Sequence, residues 1–176
     1  MPLVLPKNLP RYDCLQKEAA RFPSLDPSAC VAFLHLLRVG NEAIHSCETY
    51  FARHKLSQGR FTVLMLLFKK QDDHPAPLTP AELADLANVK RATMTGLIDT
   101  LERDGLVVRE PDPKDRRMMS VKLTARARAL LQTVLPGHFQ RMAAVMAPLS
   151  EPERKKLVRL LNKIATQPVP PFAAAS

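Results

Sequence analysis

Apolar residues recur at three- and four-residue spacings through most of the chain, a period typical of helices with one buried face. A first such segment runs from Ser28 to Lys55, directly after Asp26 and Pro27, which offer a helix cap and a first-turn proline. A second runs from Gln58 to Lys70, with a serine before it as the cap. The pattern predicts two consecutive helices, the first of them about 40 Å long.

Two shorter helices are predicted next. The segment Thr79 to Glu82 combines a capping box with a first-turn proline and predicts a helix from Pro80 to Ala87. Asn88 and Val89 form the turn before a helix from about Lys90 to Asp104. This last helix has a single narrow apolar stripe, Met94, Leu97, Ile98 and Leu101. The pair is predicted to be a helix-turn-helix.

The opposite face of the Lys90 to Asp104 helix carries small and hydrogen-bonding side chains. Such a face suits entry into a DNA major groove about 12 Å wide, because small residues permit close approach. The alternative is an ordinary amphipathic surface helix, although that would more often expose Glu and Lys pairs. The outward residues are Ala92, Thr95, Gly96, Asp99 and Arg103, flanked by Arg91, Thr93 and Thr100.

A β-hairpin is predicted after this helix. Gly105 ends the helix, Leu106 to Arg109 favours a strand, and Met119 to Leu123 alternates as a returning, half-buried strand. The intervening tip carries three cations that could reach phosphates, with Asp115 fixing one guanidinium. The alternative is a solvated turn. The cations are Lys114, Arg116 and Arg117.

Two helices are predicted in the C-terminal part. Thr124 can cap a long helix through Ala147, bent at Pro136 and Gly137. A second capping box, Ser150 to Glu153, opens a helix from Glu153 to Thr166. A helix this short gains little alone, so its apolar stripe should pack on the first helix of its own or a partner subunit. The stripe is Leu157, Leu160, Leu161 and Ile164.

Composition narrows the class of protein. With 176 residues, 46% of them apolar, and only five glycines, one compact, mainly helical unit is expected. The three cysteines lack zinc or redox-pair spacing, and no apolar run approaches a membrane span, so a cytoplasmic protein without metal is predicted. Neither a G-x-S-x-G, nor a phosphate loop, nor an H-E-x-x-H occurs, and no enzyme activity or cofactor is expected. The net charge of +9 loosely favours an anionic partner.

The segment from Asn88 to Arg109, NVKRATMTGLIDTLERDGLVVR, resembles the recognition-helix segment of MarR-family regulators. In the wing of that family, an aspartate is followed two positions later by an arginine and then by a Leu-Thr step. This chain is similar, with Asp115, Arg117 and the step Leu123-Thr124. Lys90 departs from the family, which usually has a serine or threonine cap there.

The resemblance implies a mainly α fold with a small two- or three-stranded β-wing, a winged helix-turn-helix with interlocking N- and C-terminal dimerisation helices. It implies a homodimeric repressor that binds a pseudo-palindromic DNA duplex. The expected regions are an N-terminal extension (1–25), a helical dimerisation region (26–56 and 125–167), a DNA-binding lobe (57–124) and a flexible tail (168–176). The expected DNA contacts are Lys90, Arg91, Ala92, Thr93, Thr95, Gly96, Asp99, Arg103, Lys114, Asp115, Arg116 and Arg117.

The resemblance also implies a small aromatic or anionic effector in a cleft beside the dimer helices. His35, Arg38 and His45 are the candidate polar contacts, although histidines on a long helix are more often structural. A thiol-based sensor using Cys30 is an alternative. A reactive thiolate needs positive charge nearby, however, and no Lys or Arg lies within four residues of Cys30 in the sequence. A dimeric helical adaptor without DNA binding is another, and salt-dependent duplex binding separates the two classes.

Overall fold

A computed structural model describes residues 6–73, 78–111 and 118–166. The described part is mostly helical with one small antiparallel sheet, which confirms the predicted fold class. Val121 in the sheet also donates its N–H to the carbonyl of Leu78 at 2.8 Å, a single bridge in place of a third strand. The elements are α1 Tyr12–Ala19, α2 Pro27–Arg53, α3 Gln58–Asp73, α4 Pro80–Leu86, α5 Arg91–Arg103, β1 Val107–Pro111, β2 Met119–Leu123, α6 Ala125–Met146 and α7 Glu151–Ala165.

The predicted helix caps are confirmed. The Asp26 carboxylate accepts from the N–H groups of Ser28 and Ala29 at 2.9 and 3.0 Å and starts α2. Thr79 and Glu82 form a reciprocal capping box at α4. These side chains satisfy N–H groups that the first helical turn leaves without partners, and so they fix where each helix begins.

The turns on either side of α5 also agree with the sequence. Asn88 adopts a left-handed φ of 51°, and the N–H of Val89 returns to the carbonyl of Ala84 at 3.0 Å. After α5, Gly105 has a φ of 68°, a conformation that costs glycine little because it has no Cβ. These two reversals set the length and position of α5 between α4 and β1.

Several local features differ from the sequence predictions, among them the end of α3, which lies at Asp73 and not at the predicted Lys70. Helix α1 was not expected, because its sequence is mostly polar and Arg11 gives it no side-chain cap. Strand β1 extends to Pro111, which pairs with Met119 at the end of the ladder, where a missing N–H costs least. Helix α7 begins at Glu151, two residues before the predicted start at Glu153. Ser150 is its N-cap residue, and the Ser150 N–H and hydroxyl donate to the carboxylate of Glu153.

Contacts divide the chain into two units, Met1–His138 and Phe139–Ser176. The first holds the core, built from buried side chains of α2 through α6 and both strands, with Phe51, Leu64, Met94 and Val121 at its centre. In the second unit, the α7 residues Leu160 and Ile164 are 49% and 60% exposed. Within the described ranges, no helix has the length and apolar character that crossing a membrane requires.

Candidate nucleic-acid interface

Helix α5 buries one side and exposes the other. Met94, Ile98 and Leu101 are fully buried against the core, as the apolar stripe predicted. Helix α4 packs beside it through buried Leu83 and Ala84. The candidate DNA contacts of this region are all exposed: Lys90, Arg91, Ala92, Thr93, Thr95, Gly96, Asp99 and Arg103.

The exposed N-terminal half of α5 lies beside the loop end of the hairpin ladder. Arg91 and Thr95 line the same open cavity of about 310 Å³ as Thr79, Met118 and Met119. Because Met119 pairs with Pro111 at the loop end of the ladder, the exposed face of α5 and this end of the hairpin open toward a common side. The predicted tip contacts lie outside the described residues: Lys114, Asp115, Arg116 and Arg117.

Small side chains make this face of α5 accessible. Apart from its chain neighbours and the backbone of its own helix, no described atom lies within 4 Å of where a Cβ of Gly96 would stand. The Thr95 hydroxyl donates to the carbonyl of Arg91 at 3.0 Å, so the lone pairs and methyl group of Thr95 remain to meet a partner. Lys90 makes no side-chain cap, which leaves first-turn N–H groups of α5 able to donate to an anion.

Asp99 is held by a residue that sequence reasoning missed. Arg109 on β1 donates from Nη2 to Asp99 Oδ1 and from Nη1 to Glu102 Oε2, both at 2.5 Å. The Arg109 N–H also reaches Glu102 at 3.2 Å. The pKa of Arg109 is raised above its ordinary value, mainly by the hydrogen bond to Asp99 and further by the negative charge of Glu102.

The Asp99 to Arg109 pair differs from both partners that the sequence offers for Asp99. From the sequence alone, Asp99 could be neutralised by Arg103, four residues along the same helix, or accept from a cytosine amine, and the two stay open. The hairpin instead brings Arg109 over two acidic side chains of α5. The pair joins β1 to the helix and so fixes the direction in which the hairpin leaves it.

Arg103 lies at the far end of α5. Twelve residues separate it from Arg91, which corresponds to about 18 Å along a helix. Its side chain lines a different cavity, together with Lys55, Arg60 and Arg126. The structure therefore brings Arg91 and Thr95 to the loop end of the hairpin ladder but places Arg103 away from them.

The candidate effector residues are divided between two places. His35 and Arg38 line an open cavity of about 550 Å³ together with Lys7 and Tyr12 of the N-terminal segment. Arg38 already donates to the carbonyls of Lys7, at 3.0 Å, and Pro6. His35 Nδ1 lies 2.9 Å from the carbonyl oxygen of Val31, one turn back. These contacts make Arg38 an anchor for the N-terminal segment.

The remaining sequence candidates lie elsewhere on α2. His45 is exposed and lies ten residues beyond His35, outside that cavity lining. Cys30 is half buried near the start of α2. Neither the effector role of His45 nor the thiol chemistry of Cys30 is tested by these positions, and both stay predictions.

A helix pair with an open small-residue face, joined by a charged contact to a hairpin, defines a winged helix-turn-helix, a class of DNA-binding fold. Residues 56–119 match the family model of the MarR family. The HTH-type transcriptional repressor YetL of Bacillus subtilis (strain 168) is 39% identical over 158 residues, covering 90% of this chain and 93% of the relative. The chain belongs to the MarR family.

Two further proteins support this assignment. The HTH-type transcriptional regulator PecS of Dickeya dadantii (strain 3937) is 27% identical over 152 residues, covering 86% of this chain and 90% of PecS. The solved structure of Bordetella bronchiseptica BpsR, whose DNA binding is regulated by 6-hydroxynicotinic acid, has a TM-score of 0.65 and 27% identity. That likeness covers 76% of this chain and 93% of BpsR.

Proposed function

We propose that this protein is a homodimeric, sequence-specific DNA-binding repressor that responds to a small aromatic or anionic effector. The observation that carries the DNA-binding role is the shared opening of Arg91 and Thr95 with Met118 and Met119 at the loop end of the hairpin ladder. A helix inserted in the major groove would then have the hairpin beside it, in position to follow the adjacent phosphates.

Different contacts on this surface are assigned different tasks. Thr95, with its hydroxyl proton engaged on α5, presents an acceptor to an exocyclic amine or a methyl group to thymine. Arg91 provides a guanidinium for a guanine edge or a phosphate. The tip residues Lys114, Arg116 and Arg117 are assigned to phosphates or the minor groove, with Asp115 orienting a guanidinium. Arg103 is assigned no base contact, because of its place at the far end of α5.

A homodimer is proposed because both units expose apolar rows on helices. On α2, Phe33 and Val39 are 59% and 53% exposed, and on α7 Ile164 is 60% exposed. Exposed rows of this kind mark interaction sites on soluble proteins. A two-fold dimer would present two copies of α5 to half-sites about 34 Å apart on one face of a duplex.

The repressor and effector roles rest on the relatives. YetL is described as a repressor, and BpsR responds to 6-hydroxynicotinic acid, an aromatic carboxylic acid. In this chain, the His35 and Arg38 cavity is the proposed effector site, and binding there would compete with the hold of Arg38 on Lys7. An effector that displaces this contact would release the N-terminal segment.

Selection of bound sequences from a random duplex pool, followed by titration at several salt concentrations, tests the DNA-binding role. Duplex affinity should fall steeply with salt, and Arg117→Ala should weaken binding to every duplex while the dimer remains intact. Thr95→Ala and Arg91→Gln should instead change the selected sequence. A folded dimer that ignores duplex DNA would favour the helical adaptor, and unchanged affinity of Arg117→Ala would refute the assignment of the tip.

Thermal shift and gel shift with 6-hydroxynicotinate as the probe test the effector role. A stabilised protein that releases its duplex supports the role, and Arg38→Gln should lose both responses. A Cys30→Ser variant provides the comparison for the thiol alternative. Loss of DNA binding on peroxide treatment of the parent but not of this variant would favour that alternative.

A further inference from the structure

The cavity lined by Arg103, of about 600 Å³, lies where the C-terminal end of α5 meets the starts of α3 and α6. Four of its eight lining side chains are cations, whereas one is a carboxylate, Asp104. The lining therefore has three more cationic than anionic side chains. His54 also lines the cavity. The cations are Lys55, Arg60, Arg103 and Arg126.

The one carboxylate is already engaged. Arg60, whose side chain is 13% exposed, forms an ion pair with Asp104 and donates from Nη1 to the carbonyl of Lys55 at 3.0 Å. Its Nε is buried and has no hydrogen-bond partner among the described residues. The other three cations therefore face the cavity without sharing this carboxylate.

The backbone adds further positive potential. Arg60 lies in the first turn of α3 and Arg126 in the first turn of α6, at helix ends that favour anions and disfavour cations. Nη1 of Arg126 lies 3.7 Å from where a Cβ of Gly105 would stand, so Arg126 covers the turn that ends α5. Lys55 adopts a left-handed φ of 56°, which is strained for a residue with a side chain. A bound anion would offset the unfavourable placement of the two arginines at helix N-termini.

We infer that this cavity binds a small polyvalent oxyanion, of the phosphate or polycarboxylate type. Guanidinium groups match the oxygen geometry of such groups, and the ammonium of Lys55 adds a point charge. Buried Leu106 and half-buried Leu130 provide an apolar wall for a short carbon skeleton. The site is distinct from the His35 and Arg38 cavity and does not depend on DNA binding.

Calorimetric titration of the full-length free protein, at constant ionic strength in a chloride buffer, tests this inference. Citrate and inorganic phosphate should bind at one site per chain, and acetate at least about tenfold more weakly. Arg126→Gln and, separately, Lys55→Gln should each weaken citrate binding about tenfold, since each removes a charged contact. Arg53→Gln is the matched control, because Arg53 is an exposed cation of α2 outside the cavity lining.

Amide NMR shifts locate the bound anion. Citrate should move the signals of Gly105, Leu106 and Arg126, and in Arg126→Gln the shifts of Gly105 and Leu106 should require about tenfold more citrate. Absence of citrate and phosphate binding, or binding that both cavity variants retain, would overturn the inference. Both variants are changes at exposed side chains, so a folded protein is available for either measurement.

A phosphate of the DNA backbone is the other source of the same chemistry, and duplex titration separates the two. With a small ion as the occupant, Arg126→Gln should bind duplex DNA with the affinity and salt dependence of the parent. A fall in affinity with a salt slope reduced by about one would assign the cavity to the DNA backbone and contradict the inference. A protein that binds no duplex yet binds citrate would refute the proposed function alone.

Discussion

The guanidinium of Arg109, on the first strand of the hairpin, is bound to the carboxylate of Asp99 on the exposed side of α5. Asp99 would otherwise place an unpaired negative charge on the surface assigned to DNA. The contact both neutralises this charge and links the hairpin to the helix. Arg109 is therefore a positioning residue for the proposed interface: it neutralises Asp99 and holds the hairpin against α5.

Arg109→Gln should lower duplex affinity about tenfold, because it leaves two carboxylates uncompensated near phosphates and loosens the hairpin. Asp99→Asn in the same chain should recover part of the loss by removing one of these carboxylates. Stability should fall by only about 0.5–1 kcal/mol, since the pair is partly exposed. Gel shift and chemical denaturation of both variants measure these effects. Equal duplex affinity of the parent and Arg109→Gln would contradict the role given to the pair.

Local chemistry made much of the fold readable from the sequence. Asp26, Thr79 and Thr124 each accept from backbone N–H groups only two or three residues later, so these caps can be recognised from sequence. The apolar stripe of α5 likewise repeats within four turns. The turns at Asn88 and Gly105 could be predicted because asparagine and glycine are the residues that most readily adopt a left-handed φ. Each of these features depends on neighbours close in sequence.

The contacts that the sequence did not reveal join residues distant in the chain. Arg103 is one of the two partners that the sequence offers for Asp99, because four-residue spacing on a helix is visible in sequence, whereas the Arg109 contact requires the hairpin to fold back. Likewise, Arg60 and Asp104 are 44 residues apart and Arg126 is further still. Only packing of α3, α5 and α6 brings their charges into one cavity.

Lys55→Gly should stabilise the protein by about 1 kcal/mol, because glycine adopts a left-handed φ without the steric cost of a Cβ. The φ of Lys55 is 56°, directly between α2 and α3. Thermal and denaturant unfolding measure the effect, and Glu48→Gly is the contrasting variant, because Glu48 is an exposed residue inside α2 and its replacement by glycine should destabilise the protein by about 1 kcal/mol. A less stable Lys55→Gly would show that the lysine side chain outweighs its backbone strain.

Gly137→Ala should destabilise the protein by about 1–3 kcal/mol, because a side chain there would overpack against Tyr50. A Cβ on Gly137 would stand 2.3 Å from Tyr50 Oη and 2.7 Å from its Cζ. Tyr50 is buried, and its hydroxyl donates to the carbonyl of Val134 at 2.9 Å, so it cannot move without losing that bond.

Tyr50→Phe provides the test of this cause. It removes the hydroxyl nearest the new methyl group, so the double variant Tyr50→Phe with Gly137→Ala should be more stable than the sum of the single effects allows. Denaturant unfolding of the four proteins completes the cycle. Strict additivity would show that the effect of Gly137→Ala does not arise from the Tyr50 hydroxyl, and a more stable Gly137→Ala would show that the higher helix propensity of alanine outweighs the contact.

His138 should make stability depend on pH, with stability lost on acidification. Its ring packs 5.2 Å from Phe51 and 4.9 Å from Phe61, measured between ring centroids, and burial lowers its pKa below the ordinary value of 6.5. The folded protein therefore holds the neutral ring, whereas the unfolded chain binds a proton more readily. The contribution is complete above about pH 6.5 and is lost as the pH falls below it.

His138→Gln, which carries no titratable ring, should lose less stability than the parent when the pH is lowered from about 8 to about 5.5. Urea unfolding at each pH measures the difference, and an NMR titration of the ring should place its midpoint below 6.5. His45→Gln is the control, since His45 is an exposed histidine of α2 and its replacement should leave the pH dependence of the parent intact. An equal loss of stability in the parent and His138→Gln would mean that burial of this ring does not couple folding to protonation.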